Sequence, residues 1–282
     1  MAISYNRLGS NGRLGNQMFQ YASLRGIAAN RNFDWKIPSP HNYGDSNYGL
    51  FECFEMRSVK AENFGHLATR SLAAGQFHFN KELFEGCPDN VNLHDYFQSE
   101  KYFLSIEGII RSDFTFKQPI KESCLKGITD LVDPIFLHVR RGDYVKQPEN
   151  HPTCSVKYYQ KSLEYFDATS PVLVFSDDID WCKSLDLFSD KRFHFSKFNQ
   201  KYNHTSDTCD GRIKSLIPYY DLCMMSLCRG GIMANSSLSW WGAWLIKNPT
   251  LPIIAPHQWF GKNHTHYDTK DLIPSRWIIQ DS

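Results

Sequence analysis

No CxxC pair occurs among the eight cysteines, at positions 53, 87, 124, 154, 182, 209, 223 and 228. That scatter excludes the usual zinc-ligand spacings and argues against a disulfide framework, so reduced and mostly buried thiols are expected. No uninterrupted apolar run reaches the roughly 18 residues of a membrane-spanning helix. The first residues lack the apolar core of a secretory leader. Charge of one sign is also missing: 31 basic against 30 acidic residues give a net charge of +1. That balance excludes the strongly basic face of a general nucleic-acid binder. Internal repeats and low-complexity tracts are absent as well. What remains is a chain of 282 residues, 41% hydrophobic, long enough for one large or two ordinary domains. Aromatics reach 15%, with seven Trp. Such rings line many carbohydrate sites, but core packing is the plainer reading for any one of them.

Apparent strands and helices alternate along the chain, which predicts α/β layering. A strand over about 2–8 precedes a Gly-containing turn and a helix over about 14–30. Residues 38–49 read as a loop, 76–80 and 91–96 as short strands, and 100–111 as helical. A helix at about 119–130 then leads into a second βα series. Its strands are predicted at 134–137, 172–175, 193–195, 231–234 and 251–254. Its helices are predicted at 156–167, from 179, at 212–228 and at 238–247, with a polar loop at 199–211. Two Rossmann-like halves follow, 1–130 and 131–282.

Four segments carry chemistry. The turn Gly12-Arg13-Leu14-Gly15-Asn16-Gln17 sits between a strand and a helix, where backbone N–H groups attract anions. It is not a complete dinucleotide fingerprint, and a plain βα turn explains it equally. The run His138-Val139-Arg140-Arg141-Gly142-Asp143-Tyr144 follows an apolar strand. It places two guanidiniums, an imidazole and a carboxylate at a strand end, where α/β folds bind ligands. Guanidinium forks suit phosphate oxygens. The plainer reading is a salt-bridged strand end with Asp143 neutralising one Arg. The Arg141-Gly142-Asp143 tripeptide of cell adhesion abuts a buried strand here, so adhesion is set aside. In Ser176-Asp177-Asp178-Ile179-Asp180-Trp181-Cys182, the acids suit either a cation on a diphosphate or the N-terminus of a helix, with Ser176 or Asp177 as the cap. Finally, Asp221 stands in an otherwise apolar helix and needs a partner. A carboxylate there matches the two donors on one edge of guanine. Asn235, Ser236 and Ser237 begin a helix after a strand, which makes an N-cap, a phosphate site, or both.

Residues 12–22 (GRLGNQMFQYA), 138–145 (HVRRGDYV), 176–182 (SDDIDWC) and 235–241 (NSSLSWW) together resemble, in order and spacing, the motif series of glycosyltransferase family 11, the α-1,2-fucosyltransferases. The resemblance spans roughly residues 3–255, although 38–90 carry no matching motif. It implies a GT-B fold of two Rossmann-like domains facing across a cleft. The acceptor would lie on the N-terminal domain and GDP-fucose on the C-terminal one. It implies inverting transfer of L-fucose from GDP-β-L-fucose to a glycan acceptor, most naturally the 2-hydroxyl of a terminal galactose. No cofactor and no metal would be required, which leaves Asp177 and Asp178 either structural or supporting the site from behind its contact residues. Carried across residue by residue, the resemblance gives His138 and Asp221 to guanine and Arg140 to the β-phosphate. Asn235, Ser236 and Ser237 go to the diphosphate, and Gly15 and Asn16 face the donor from the other domain. A related enzyme with another GDP-sugar or linkage, and a sugar-nucleotide-binding module without turnover, are the competing readings.

The transfer needs a base for the acceptor hydroxyl. Asp143 ranks first by motif membership, unless it only holds Arg141. Glu149 and His151 follow in a Pro-containing loop. Three Asn-X-Ser/Thr sequons, at Asn203, Asn235 and Asn263, are read as chance, since a glycan on Asn235 would obstruct the phosphate loop. A cytoplasmic enzyme is expected, with peripheral membrane contact at most, through lipid-linked glycans.

Overall fold

The computed structural model describes residues 1–40, 48–67, 70–196, 198 and 211–282, with backbone alone at 211–216. The chain forms two compact units. The first holds Met1–Lys117 and His266–Pro274, and the second holds Gln118–Thr265 and Ser275–Ser282. The division therefore falls earlier than residue 130, and a short C-terminal segment returns to the first unit. The physical reason is the helix that opens at Gln118. Its Cys124 thiol donates to the Tyr220 carbonyl at 3.5 Å, and Met224 lies 3.4 Å from where a Gly127 Cβ would be. Both partners belong to the second unit.

In the first unit the elements are β1 (Ala2–Ser4), α1 (Leu14–Arg31), β2 (Asp34–Lys36), α2 (Gly49–Cys53), β3 (Ser71–Leu72), α3 (Lys81–Gly86), β4 (Val91–Leu93) and α4 (Glu107–Asp113). The strands form a parallel sheet in the order β2-β1-β4-β3. The predicted strand at 76–80 does not form, and β3 lies upstream of it. Aromatic alternation at Phe77 and Phe79 imitates a strand, but the backbone donors there go to side chains. Phe79 N–H donates to Asp271 Oδ2 at 3.1 Å and Asn80 N–H to Tyr102 Oη at 2.8 Å. The segment read as helical at 100–111 is broken into two 3₁₀ turns, Glu100–Tyr102 and Leu104–Ile106, before α4.

The second unit holds α5 (Gln118–Ile128), β5 (Ile135–Val139), α6 (Val156–Leu163), β6 (Val172–Ser176), α7 (Ile179–Lys183), β7 (Phe193–Phe195), α8 (Gly211–Ser226), β8 (Gly231–Ile232), α9 (Ser237–Leu245), β9 (Ile253–Pro256) and β10 (Ile278–Gln280). Its sheet is parallel throughout, in the order β10-β9-β8-β5-β6-β7. The strand–helix alternation matches the sequence expectation, with β10 added at the edge. Continuous apolar runs such as Ile135–Val139 are what a sheet covered on both faces requires. Ile135, Leu137 and Val139 enter one core with Tyr158, Tyr159 and Leu163 of α6. On the alternate face, Phe136 fills the space above Gly231, where a Cβ would fall 2.2 Å from its ring. Trp240, Trp241 and Trp244 of α9 are buried and pack on one another, so these rings serve the core. The loop read at 38–49 ends where α2 begins. Residues 41–47 and most of 199–211, with Asn203 and Cys209, lie outside the described residues. The seven described cysteines form no disulfide and are buried. No helix among the described residues is long and apolar enough to cross a membrane.

A charged network fixes the first unit. Asp113 is fully buried and accepts from Arg25 Nη1 at 2.8 Å, Tyr21 Oη at 2.7 Å, and Ser58 N and Oγ at 2.7 and 2.6 Å. The Arg25 guanidinium also lies 4.4 Å over the Trp35 ring. The carboxylate is thus fully satisfied, and it ties α1, β2, α4 and the segment at Ser58 together. Removing one partner of such a buried pair leaves the other charge uncompensated, at a cost of about 3–5 kcal/mol. Asp113→Ala is therefore expected to lower unfolding free energy by about that amount, read from urea denaturation. An unchanged midpoint would show that the network is not a stabilising tie.

Candidate donor site in the second unit

Three adjacent strands deliver the site. β5 lies between β6 and β8, with Val139 level with Ser176 and Leu137 level with Ile232. The residues that follow each strand therefore emerge at one carboxyl edge, the usual ligand edge of an open parallel sheet. Arg140 and Arg141 come off β5, Asp177 and Asp178 off β6, and Asn235, Ser236 and Ser237 follow β8. Tyr144 bridges the first and last of these. Its hydroxyl donates to the Asn235 carbonyl at 3.1 Å, while its ring lies 5.2 Å from the Arg140 guanidinium carbon.

The two arginines have different surroundings, because successive side chains leave an extended chain on opposite sides. Arg140 stands between two carboxylates: Nη1 lies 2.6 Å from Asp177 Oδ2, and Nη2 donates to Asp143 Oδ1. Arg141 turns to Asp178, donating from Nε to Oδ2 at 2.9 Å, and lies 3.9 Å over the Trp181 ring. The expectation that Asp143 might hold Arg141 is thus corrected: its partner is Arg140. The capping expectation is corrected too. Asp178, rather than Ser176 or Asp177, caps α7 by accepting from Trp181 N–H at 3.2 Å, and Ser176 Oγ accepts from Asp178 N–H at 2.9 Å. Both acids that a divalent cation would use are thus engaged by guanidiniums.

His138 faces away from the core cluster that Leu137 and Val139 enter. It is 6% exposed, and Nδ1 is buried with no hydrogen-bond partner among the described residues. Burial, with the nearby Arg140 charge adding to it, pushes its pKa down from 6.5 to about 3. The ring is therefore neutral at physiological pH. His151 is half-buried and stacks on Tyr144 with centroids 4.9 Å apart, beside Phe260 and His264. Burial first, then the neighbouring His264, lowers its pKa. Glu149 makes an ion pair with Lys262 at 2.5 Å, and its backbone carbonyl accepts from Asn263 N–H at 2.9 Å. The loop carrying Glu149 and His151 is thereby zipped to the segment around 261–264.

Asn235 is 2% exposed, and its amide donates to the carbonyls of Pro152 and Trp259 at 2.9 and 3.1 Å. Its Oδ1 accepts from the Cys154 thiol at 3.8 Å. The side chain thus fastens loops around the site, and its backbone carbonyl receives Tyr144. Ser236 caps α9, its Oγ accepting from Leu238 N–H at 3.3 Å, and Ser237 is the first helical residue. Asp221 lies on α8, 7% exposed, and accepts from Ser196 Oγ at 3.2 Å just beyond β7. The sequence supplied no signal for Tyr144 as the bridge or for Asp177 as the second carboxylate on Arg140. Both depend on which strands are neighbours.

Gly15 and Asn16 belong to the first unit. Gly12 adopts φ +83°, and a Cβ there would fall 2.8 Å from the Asn16 side chain, so only glycine leaves Asn16 its place. Asn16 Oδ1 accepts from Gln98 Nε2 at 2.8 Å, and Gln17 and Gln20 hold the carbonyls of Gly12 and Asn11 at 3.1 and 3.0 Å. The turn is a built feature, held by polar side chains reaching back from α1.

The model of glycosyl transferase family 11 matches residues 2–279. An alpha-1,2-colitosyltransferase of Escherichia coli is 31% identical, and the alignment covers 99% of each chain. The galactoside 2-alpha-L-fucosyltransferase SEC1 of Bos taurus is 25% identical over 86% of this chain and 65% of that protein. Among solved structures, the fucosyltransferase NodZ from Bradyrhizobium superposes with a TM-score of 0.55 at 12% identity. That match covers 87% of this chain and 93% of NodZ. NodZ alpha-1,6-fucosyltransferase co-crystallised with GDP also gives 0.55 at 12% identity, over 87% and 92%. At that identity the likeness speaks for the fold, which is of the GT-B type.

The buried His138 generates a pH prediction. In the unfolded chain it takes a proton near pH 6.5, whereas in the fold it stays neutral down to about 3. Below pH 6.5 the unfolded state therefore binds more protons, and stability falls as pH falls, by at most about 1.4 kcal/mol per pH unit. His138→Gln is expected to remove that contribution. Urea denaturation between about pH 6 and pH 5 should show a shallower loss in the variant, by about 1 kcal/mol. Identical acid limbs would show that His138 takes its proton in the fold.

Proposed function

This chain belongs to glycosyltransferase family 11, and from that premise we propose that it moves L-fucose from GDP-β-L-fucose to the 2-hydroxyl of a terminal galactose on a glycan. The observation that carries the reading is the shared carboxyl edge, where Arg140, the start of α9 and the neutral His138 come off neighbouring strands. These are the pieces a nucleoside diphosphate needs: a fixed guanidinium, a helix N-terminus for phosphate oxygens, and buried polar groups for a base. GDP-fucose is assigned to the second unit and acceptor recognition to the first.

In this reading the guanine edge meets His138 Nδ1 and the Asp221 carboxylate. Ser236, Ser237 and the N–H groups opening α9 receive the diphosphate. Asp143 is half-exposed, so the incoming phosphate replaces it on Arg140 Nη2, while Asp177 keeps Nη1. The bond between fucose C1 and the β-phosphate oxygen then breaks with its electron pair going to GDP, and Arg140 stabilises that charge. The acceptor oxygen bonds to C1 from the opposite face, which inverts the centre. Its proton passes to Asp143, released from its arginine, or to the neutral His151 beside it. Glu149, ion-paired with Lys262, ranks after both. No metal is assigned, because Arg140 supplies the charge and Asp177 and Asp178 are paired with arginines. We place the enzyme in the cytoplasm, acting on soluble or lipid-linked glycans.

The 31% identity to a colitosyltransferase supports a second donor, GDP-colitose, whose sugar is fucose without the 3-hydroxyl. Incubating purified protein with each GDP-sugar and a galactoside in excess EDTA, followed by linkage analysis, distinguishes the two. The reading predicts GDP release and an α-1,2 fucosyl product. Preference for GDP-colitose transfers the mechanism to that sugar. Intact donor after long incubation would leave only a binding module, and strict dependence on Mn²⁺ or Mg²⁺ would overturn the metal-free route. Arg140→Ala is expected to lower turnover by about 10²–10³-fold in a protein that remains folded, the typical effect of losing one charge-stabilising donor. Near wild-type turnover in that variant would remove Arg140 from the phosphate site.

A further inference from the structure

Asp177 is the second carboxylate beside Arg140. Three features define its geometry. Asp177 is largely buried, its side chain 16% exposed against 48% for Asp143. Its two oxygens have separate tasks: Oδ1 accepts the Arg141 backbone N–H at 2.8 Å, and Oδ2 lies 2.6 Å from Arg140 Nη1. That second contact lies off the hydrogen-bond axis, so Oδ2 acts on the guanidinium as a fixed charge. Finally, a Cβ at residue 142 would fall 2.4 Å from Asp177 Oδ2, and 3.9 Å from the Arg140 guanidinium carbon.

Gly142 is not at a positive φ, so no backbone conformation demands glycine there. The demand is steric. A methyl group would fall 2.4 Å from Oδ2, so the Asp177 carboxylate would have to shift from its place beside Arg140. The motif thus contains a fitted arrangement. A missing side chain on β5's loop makes room for a carboxylate from β6, and that carboxylate fixes the arginine two residues back. Asp143, close by in sequence, is the more exposed of the two carboxylates on Arg140.

We propose that Asp177, admitted by Gly142, is a positioning residue that holds the Arg140 guanidinium in phosphate-binding orientation. The inference rests on the reading of Arg140 as the phosphate ligand and adds how its orientation is set. A guanidinium held at Nη1 keeps Nε and Nη2 available on its remaining edges. A guanidinium without that tie must give up rotamer freedom each time the donor binds, and it meets the leaving phosphate less often in productive geometry. The role differs from bulk support of the loop. Asp177→Asn retains an oxygen for the Arg141 N–H, so the backbone contact survives while the fixed charge is lost.

The test is a double-mutant cycle read by GDP titration calorimetry and by turnover. Wild type, Asp177→Asn, Gly142→Ala, Arg140→Ala and the Arg140→Ala/Asp177→Asn pair are compared, each checked for wild-type-like thermal unfolding. Asp177→Asn is expected to lower kcat by about 10²-fold, the scale of a misplacement of about 1 Å, with the acceptor KM little changed. Gly142→Ala, which displaces the same carboxylate by a different route, is expected to give the same kcat-dominated loss. In the Arg140→Ala background, Asp177→Asn is expected to change GDP affinity and residual turnover by less than about threefold, because the residue it orients is gone. Equal losses in both backgrounds, or a folded Asp177→Asn or Gly142→Ala with wild-type kcat, would overturn the inference. If the wild-type protein itself bound no GDP, the phosphate reading would fall first and the inference with it. If Asp177→Asn proved unfolded, Gly142→Ala and its own pairing with Arg140→Ala would carry the same comparison.

Discussion

The second unit is organised around one electrostatic constraint: Arg140 carries a single positive charge between two carboxylates, Asp143 and Asp177. With Arg141 and Asp178 included, this strand edge holds two guanidiniums and three carboxylates, an excess of negative charge at the edge proposed for the diphosphate. In the proposed reading, a diphosphate enters here only if one carboxylate gives way. In that reading exposure decides which. Asp143 sits on a loop turn and is half-exposed. Asp177 is less exposed, lies against Gly142 and is tied to the Arg141 backbone. The proposed reading is thus one of exchange, with one counter-ion displaced by the phosphate and one remaining. In water such pairs contribute little, but at a partly buried strand end the screening is weaker and the arrangement has more effect.

The rest of the second unit serves that edge. β5 is buried on both faces, so its end is a rigid platform, and the neighbouring strands β6 and β8 deliver the acids and the helix start at the same level. Asn235 then fastens the loop at Pro152 and the segment at Trp259, which keeps the surroundings of Tyr144 and His151 in place. The buried tryptophans of α9 anchor its N-terminus, where Ser236 and Ser237 stand. Aromatic content that could suggest a carbohydrate surface is here mostly structural.

Much of this was legible in the sequence because it is local. Strand β5, its motif and the N-cap at Ser236 each follow from a few consecutive residues. So does the strand–helix alternation of the second unit, whose core strands are uninterrupted apolar runs. The first unit was less legible. Its strands are two or three residues long, and the Phe77–Phe79 alternation reflects aromatic packing under a loop. The Arg25–Asp113 tie joins residues 88 apart and leaves no local pattern. Pairings within the site were hidden for the same reason. Asp143 is near both arginines in sequence, and only the divergence of their side chains shows that it meets Arg140. That Asp178 caps α7 while Asp177 turns to the arginine depends on one step of backbone direction after β6.

The measurement that bears most directly on this account is an experimental structure of the protein with GDP bound. The account predicts the β-phosphate on the Arg140 guanidinium, Asp177 still against Nη1, and Asp143 moved off Nη2. An Arg140 that kept both carboxylates, with the phosphates held elsewhere, would contradict it.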